Sequence, residues 1–186
     1  MNNDVLQTIA ERRSHRAYVQ EALDEEKLQA ILKAALQSPS ATNRQPWHFS
    51  VVQDPELIQE IHVEAVRAFL VQGDPERAAR FKDSGHQIFF HAPTVIFVFG
   101  EKGFSWTQVD CGIAVQNMAL AAESLGVGSV ILGMPKAAFM GEKGDALRSR
   151  LSCPEGYDFV VALALGRAAD TKDAHDLRPE KITRIH

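Results

Sequence analysis

The spacing of apolar residues predicts two helices near the start of the chain. Val5, Leu6 and Ile9 indicate a helix over 3–12, which runs directly into a group of arginines. A second helix is predicted to begin after Asp24, a residue suited to an N-cap, and to end by Pro39. Its apolar face consists of Leu28, Ile31, Leu32, Ala35 and Leu36.

The next stretch predicts a strand and a helix before the pattern fades. The strand is expected at 49–52, and the helix begins at Pro55 with Leu57, Ile58, Ile61 and Val66 on its apolar face. Residues 72–84 are mostly polar and include Gly73 and Pro75. We interpret this segment either as a mobile flap or as an ordinary exposed loop.

Two strongly apolar segments follow. The continuous apolar run at 94–99 predicts a central strand that is buried on both faces. The helix predicted at 107–125 has almost no polar stripe, so it must be enclosed nearly all round. A domain of this size rarely encloses a helix by itself, and we therefore expect a homodimer that packs this helix against its mate.

The last third of the chain predicts two more strands and a tail. Gly126 and Gly128 end the long helix, a short strand covers 129–132, and Gly133 and Pro135 break the chain before a helix at 137–151. A core strand is expected at 157–165. The alternating tail 182–185 is expected to add a strand to another subunit's sheet, with a frayed terminus as the alternative.

Composition indicates one ordinary globular domain. The chain has 186 residues, 45% of them hydrophobic and 24% charged, with a net charge of -4. This charge argues against nucleic acid or an anionic membrane as the main partner, and no run approaches the roughly 20 apolar residues that span a bilayer. Cys111 and Cys153 are too few and too far apart for a disulfide framework or a zinc site. A cytoplasmic location is expected.

Two polar stretches carry the candidate chemistry. Arg12-Arg13-Ser14-His15-Arg16 places three guanidiniums and a hydroxyl within five residues, which suits a phosphate because guanidiniums bind its oxygens in pairs. The stretch 38–49, Ser-Pro-Ser-Ala-Thr-Asn-Arg-Gln-Pro-Trp-His-Phe, has small side chains that let the backbone approach a flat ligand. The amides of Asn43 and Gln45 can read donors and acceptors on the edge of that ligand.

Other motifs favour structural interpretations. The sequence Gly126-Val127-Gly128-Ser129 follows a helix and opens a strand, the reverse of a dinucleotide-binding fingerprint. The spacing of the histidines favours surface or core positions over metal ligation, and no serine lies in a nucleophile elbow. The residues concerned are His62, His86 and His91, and Ser14, Ser40 and Ser129. Trp47 and Trp106 are expected to be core or interface anchors.

Four segments resemble the nitroreductase family of FMN-dependent oxidoreductases, and the similarity covers nearly the whole chain. They are the arginine cluster ending at Arg16, the stretch 38–49, the helix 110–126 with Gln116-Asn117-Met118-Ala119-Leu120, and Ile131-Leu132-Gly133. The resemblance implies an α+β fold with a central, mostly antiparallel sheet flanked by helices. It also implies an intertwined homodimer with two FMN sites at the interface. The chain would be one domain over 1–186, with 167–186 as a C-terminal arm reaching the partner.

The same resemblance implies the residues of the FMN site. Arg12, Ser14 and Arg16 would hold the phosphate and ribityl end, and the backbone N–H of Gly133 would donate to flavin N5. The partner chain would supply the stretch around Ser40, with Gln45 nearby. The full set of expected FMN-binding residues is Arg12, Arg13, Ser14, Arg16, Pro39, Ser40, Ala41, Asn43, Gln45, Ile131, Leu132, Gly133 and Arg178.

Three departures from the family pattern stand out. Leu132 occupies a position where many relatives carry Glu. The Asn and Lys with which the family reads the pyrimidine edge of the flavin have no clear match between Val66 and His91. Near the C-terminus, Arg178 adjoins Pro179 and matches the family's phosphate ligand better than Lys172, which lies further back.

The implied activity is hydride transfer from NADH or NADPH, through flavin N5, to a small-molecule electron acceptor such as a nitroaromatic or a quinone, in a ping-pong cycle. Catalytic side chains and metals are not expected, because the flavin carries the chemistry. One alternative is an FMN-binding redox sensor without steady turnover. Another is a specialised relative that consumes flavin, removes halogen or reduces enoyl groups.

Overall fold

The computed structural model describes residues 3–82 and 87–185. The helices are α1 (Asp4–Glu11), α2 (Glu25–Leu36), α3 (Pro55–Val71), α4 (Pro75–Lys82), α5 (Thr107–Ser124), α6 (Lys136–Met140) and α7 (Gly144–Arg150). The strands are β1 (Trp47–Val52), β2 (Thr94–Glu101), β3 (Gly128–Leu132) and β4 (Tyr157–Gly166). Single 3₁₀ turns cover Ala41–Asn43 and Pro179–Lys181.

Local sequence explains where the main helices begin and end. The Asp24 side chain accepts the N–H of Lys27 at 3.0 Å and caps α2, as predicted. Asp54 caps α3 in the same way, and Pro55 occupies the first turn, where no donor is needed. The end of α5 is followed by Gly126 at φ +69, a left-handed conformation that glycine adopts without steric cost.

The strands form one antiparallel sheet in the order β1-β2-β4-β3. At one end of the sheet, which we call the Tyr157 end, Trp47 pairs with Gly100 and Glu101 pairs with Tyr157. At the other end, which we call the Leu165 end, Leu165 pairs with both Thr94 and Ser129. The predicted α+β fold with an antiparallel sheet is confirmed, and all four predicted strands are present.

Each face of the sheet carries its own apolar cluster. Successive residues of β2 point to opposite faces, and the strand is buried from Thr94 to Gly100, as predicted. On one face Ile96 and Val98 pack with α2 and α5. On the other face the β2 residues Phe97 and Phe99 pack with α3 and α6.

Among residues 3–82 and 87–185, the chain covers one side of α5 and leaves the other side exposed. Asp110, Cys111, Ala114 and Met118 are among the buried residues, whereas Val109 is 49% exposed and Gly112 and Gln116 are exposed too. The apolar side chains of α1, Val5, Leu6 and Ile9, are at least half exposed as well. The described residues of one chain therefore do not enclose α5 on all sides.

Two local predictions were wrong, and the pairing of the tail with another subunit stays a prediction. The polar segment 72–84 contains the helix α4. Two contacts stabilise this helix: Ala78 is buried, and Arg77 lies over the ring of Phe69 at 5.2 Å. Residues 83–86 lie outside the described residues, so the flap interpretation is untested there. The helix expected at 137–151 is split into α6 and α7. The tail 182–185 has no regular structure in this chain, and Ile182 and Ile185 are exposed.

Within the described ranges, none of the helices combines the length and hydrophobicity that crossing a membrane requires.

We expect Phe139→Ala to destabilise the protein by about 3–5 kcal/mol, because Phe139 is buried at the centre of an aromatic group. Its ring stacks on Phe159 at 4.9 Å and meets Phe97 and Phe99 edge-on. Urea unfolding followed by circular dichroism measures the change. The neighbouring Met140→Ala is the control, since Met140 is 67% exposed and its loss should matter little. Equal effects of the two changes would contradict the packing described here.

Candidate functional site

The arginine-rich stretch lies along the outer edge of β3. Ser14 forms a parallel bridge with Ser129, and the N–H of His15 donates to the carbonyl of Ser129 at 3.0 Å. The chain then crosses the end of β4, where the N–H of Val19 donates to the carbonyl of Arg167 at 2.9 Å. The backbone of this stretch is therefore fixed at the Leu165 end of the sheet.

Arg12 presents an unsatisfied buried donor in this stretch. Its Nη1 atom is buried, and it has no hydrogen-bond partner in the part of the chain that the structure describes. A buried guanidinium nitrogen without an acceptor costs free energy, because it has lost its water and gained nothing in return. The geometry therefore favours an anionic ligand at Arg12.

Arg13 behaves differently from its neighbour. Its Nη1 donates to the carbonyls of Ala10 at 2.6 Å and Arg12 at 3.0 Å, and its Nε donates to the carbonyl of Lys172 at 3.2 Å. These bonds tie the end of α1 to the segment that follows β4. In the single chain Arg13 thus supports the backbone of the site, and its predicted contact with the ligand stays a prediction.

Asp170 places a carboxylate inside this basic stretch, and sequence reasoning missed it. Its oxygens accept from the Nδ1 of His15 at 2.7 Å and from the N–H of Arg16 at 2.9 Å. The Nζ of Lys172 lies 3.5 Å away. Burial by itself raises the pKa of Asp170, but the bonds from Arg16 and His15 outweigh it and hold the pKa below its usual 3.8. Asp170 therefore orients His15 and Arg16, and among the described residues it makes no hydrogen bond to the Nη1 of Arg12.

The second polar stretch is a turn with unusual backbone conformations. Thr42, Asn43 and Gln45 have φ values of 54°, 54° and 51°, in the left-handed region that non-glycine residues rarely occupy. The N–H of Gln45 donates to the Oγ of Ser40 at 2.9 Å, and the Nε2 of Gln45 donates to the Oδ1 of Asn43 at 3.1 Å. Strained backbone of this kind is concentrated at functional sites.

This turn is attached to the Tyr157 end of the sheet. The N–H of Glu101 donates to the carbonyl of Pro46 at 2.9 Å. The guanidinium of Arg44 forms a two-pronged pair with Glu101, at 2.8 and 2.6 Å, and lies over the ring of Phe104 at 4.8 Å. Pro39 is exposed and Ala41 is half-buried beside α5.

The two stretches that suggest one site do not meet within one chain. The turn adjoins Glu101, which pairs with Tyr157 of β4, whereas Ser14 adjoins Ser129, which pairs with Leu165. Eight residues of a strand separate these positions on β4, a distance of roughly 26 Å. A single chain therefore holds the arginine-rich stretch and the strained turn at opposite ends of the sheet.

The remaining predicted residues lie in two places. Ile131 and Leu132 end β3, with Leu132 buried, and Gly133 follows them in an exposed position. Outside its immediate neighbours, no heavy atom of the described chain lies within 4 Å of the point where a side chain would begin at Gly133. Arg178 is exposed at the start of the last 3₁₀ turn, and the hydrogen bonds of the described residues bring Lys172 to the basic stretch instead.

Cys111 and His62 are buried, and burial shifts the pKa of each side chain. Burial, followed by the nearby charge of Asp110, raises the pKa of Cys111 to about 12, so its thiol stays protonated. The Nδ1 of His62 accepts the N–H of Ile88 at 3.3 Å, and burial is the main cause that lowers its pKa. Residues 3–82 and 87–185 contain no group of three or more potential metal ligands, and His86 lies outside them.

The fold and the site define an α+β protein with an arginine-rich stretch on the edge of its sheet. Comparison with known proteins identifies the family: the chain belongs to the nitroreductase family, whose model matches residues 9–167. The resemblance stated from the sequence is confirmed.

Individual relatives agree with this assignment. A nitroreductase of Desulfitobacterium hafniense with bound FMN is 38% identical, with a TM-score of 0.94 over 100% of both chains. A nitroreductase of Bacteroides fragilis with bound FMN is 29% identical, with a TM-score of 0.93 over 100% of both chains. A protein of Archaeoglobus fulgidus, provisionally named as an NADH dehydrogenase or NAD(P)H nitroreductase, is 34% identical over 97% of each chain.

We expect Asp170→Asn to destabilise the protein by about 1 kcal/mol at neutral pH, because an amide binds Arg16 and His15 less strongly than a carboxylate. The folded-state pKa of Asp170 is lowered, so its contribution is present above pH 3.8 and is lost as the pH falls through the folded value. Urea unfolding from pH 7 to pH 3 should therefore show the two proteins converging below about pH 4. Asp173→Asn, at an exposed site, serves as the control. A difference that stays constant over this range would refute the assignment.

Proposed function

We propose that this protein is an FMN-dependent NAD(P)H oxidoreductase that acts as a homodimer on electron-poor small molecules. The observation that carries the proposal is the buried Nη1 of Arg12, which has no acceptor among the described residues. Membership of the nitroreductase family and a 38% identical structure with bound FMN support the same conclusion.

The residues present fit the phosphate of FMN. Arg12 offers an unsatisfied charged donor, Ser14 offers a hydroxyl, and the Arg16 guanidinium adds a second positive charge nearby. Each hydrogen bond to a charged group contributes roughly 1.5–3 kcal/mol, so a few such bonds hold the cofactor without a covalent link. Arg13 and Asp170 fix the backbone that carries these donors. We propose Arg178, which is exposed near the end of the chain, as a further ligand of the phosphate.

The flavin ring would lie against the open backbone at Gly133. Ile131 and Leu132 pack into the apolar clusters on opposite faces of the sheet, so they would offer their backbone to the ring, and the absence of a side chain at Gly133 lets a flat ring approach. When bound, FMN would supply the hydride chemistry that amino-acid side chains lack. The chain's own residues bind and orient it and keep one face open for the donor and the acceptor in turn.

A homodimer supplies the second half of the site. Pro39, Ser40, Ala41, Asn43 and Gln45 lie at the Tyr157 end of their own sheet, far from Arg12. Two-fold association through the exposed side of α5 would bring this turn of one copy to the arginine stretch of the other, because the two ends of the helix exchange places. The exposed apolar residues of α1 and α5, with Val109 among them, support burial of this surface.

The C-terminal segment would complete the dimer. We propose that residues 1–186 form one domain and that 167–186 form a C-terminal arm, which is fixed to its own chain at Arg167 and Asp170 and reaches the partner with its later part. Its apolar residues Leu177, Ile182 and Ile185 are between 72% and 92% exposed in the single chain. Strand β1 is at the edge of the sheet, where its outer backbone groups are available to pair with such an arm.

The visible absorption spectrum of the purified protein tests the function. We expect flavin bands that bleach when NADH or NADPH is added without oxygen and return when nitrobenzene or benzoquinone follows. We also expect Arg12→Ala to weaken FMN binding by roughly tenfold to a hundredfold, because one charged bond is lost. Fluorescence titration of the FMN-free protein measures this affinity.

Two outcomes would contradict the proposal. A colourless protein that takes up no FMN would refute it altogether. A protein that holds FMN but consumes neither nucleotide with any acceptor would be a flavin-binding sensor. Lys33→Ala is the matched control for Arg12→Ala, since it removes an exposed positive charge from α2, away from the basic stretch.

The dimer makes a separate prediction. The wild type should have about twice the chain mass of 20.6 kDa by light scattering. We expect Val109→Glu, on the exposed side of α5, to yield monomers that have lost FMN binding, because each site needs both copies. Val71→Glu is the control, since Val71 is 82% exposed on α3. A monomeric Val109→Glu variant that binds FMN normally would show that the site is complete in one chain.

A further inference from the structure

Asp110 is a buried carboxylate that the proposed function has not used. It lies in the first turn of α5 and is only 2% exposed. Both of its oxygens are 3.2 Å from the N–H of Ala41, which donates to them. A carboxylate this deeply buried needs a hydrogen-bond donor, and the donor here is the backbone N–H of Ala41 in the strained turn.

The turn depends on contacts from outside itself. Three residues in it that are not glycine, Thr42, Asn43 and Gln45, occupy left-handed conformations. Such conformations persist only where the surrounding structure holds them. Within the turn, the Oγ of Ser40 accepts the N–H of Gln45 at 2.9 Å. The bond from Ala41 to Asp110 connects this small structure to the body of the chain.

The same side of α5 provides a second attachment. Asn117 lies seven residues after Asp110, about two helical turns further along the same face. Its Nδ2 donates to the Oγ of Ser38 at 2.8 Å. Helix α5 therefore binds the polar stretch at two points, while its opposite side is the exposed surface on which the proposed dimer rests.

We infer that Asp110 is a positioning residue, which holds the strained turn in the shape that it presents to the flavin site of the other copy. This inference rests on the proposed function and deepens it. Asp110 touches neither the cofactor nor the substrate, and it lies at the opposite end of the sheet from the arginine stretch of its own chain. Its effect is expected in the partner's site, through Ala41, Asn43 and Gln45.

Two substitutions separate this role from simple packing. Asp110→Ala removes the acceptor for the Ala41 N–H, whereas Asp110→Asn keeps one oxygen that can accept it. Cys111→Ala is the control, because Cys111 is the next residue, is completely buried and has no hydrogen bond to the turn in the described structure. If Asp110 only supports the core, its Ala variant should behave like the Cys111 variant.

Hydrogen exchange of the FMN-free protein provides the first readout. We expect peptides covering 38–46 to exchange at least about tenfold faster in Asp110→Ala than in wild type, because the Ala41 N–H has lost its acceptor. Asp110→Asn should restore most of the protection. FMN affinity should follow the same order, with Asp110→Ala about tenfold weaker and Cys111→Ala close to wild type.

Mixed dimers test the direction of the effect. One chain carries Asp110→Ala, the other carries Arg12→Ala, and two different tags allow the heterodimer to be isolated. We expect one of its two sites to bind FMN with wild-type affinity, because that site combines the intact turn of one chain with the intact arginine stretch of the other. The second site combines both defects and should bind weakly.

The outcomes distinguish the two proposals. A wild-type protein that binds no FMN overturns the proposed function, although faster exchange in Asp110→Ala would still support the attachment of the turn. A wild type that binds FMN, with Asp110→Ala unchanged in both exchange and affinity, overturns the inference alone. A heterodimer without a wild-type site would show that Asp110 acts within its own chain, contrary to the inference.

Discussion

The antiparallel pairing of β4 with both of its neighbours is the constraint on which the arrangement of this protein depends. It places the turn that follows α2 at one end of the sheet and the arginine stretch at the other, separated by the length of β4. Helix α5 runs beside the sheet and contributes to both ends, with Asp110 near the turn and β3 following its C-terminus. In the proposed dimer, this separation is the reason that a second copy of the chain would supply the other half of the site.

The charged residues of the basic stretch have different hydrogen-bond partners. Arg13 donates to backbone carbonyls, and Asp170 accepts from His15 and Arg16. Arg12 alone presents a buried nitrogen with no acceptor among the described residues. An anion bound there gains a preorganised charged donor, because the rest of the stretch already holds the backbone in place.

Sequence reasoning succeeded where the signal was local. The cap at Asp24, the helix start at Pro55, the buried run of β2 and the glycine after α5 depend on neighbouring residues, and all were predicted. It failed where distant contacts decide. Helix α4 is amphipathic over only a few residues and is stabilised by packing against α3. Between α6 and α7 the chain brings Gly144 so close to the carbonyl of Phe139 that a side chain would not fit there. The roles of Arg13 and Asp170 also depend on partners more than 150 residues away.

The sequence by itself determined the four strands and most of the helices, the two polar stretches with the chemistry they suggest, and the family to which the chain belongs. These follow from residue type and spacing, which act over a few residues. Only the tertiary structure decided that the two stretches lie at opposite ends of one sheet, that one side of α5 is left uncovered, and that Asp110 holds the strained turn. Strand order and register determine these features, and they arise from long-range packing that local spacing does not encode.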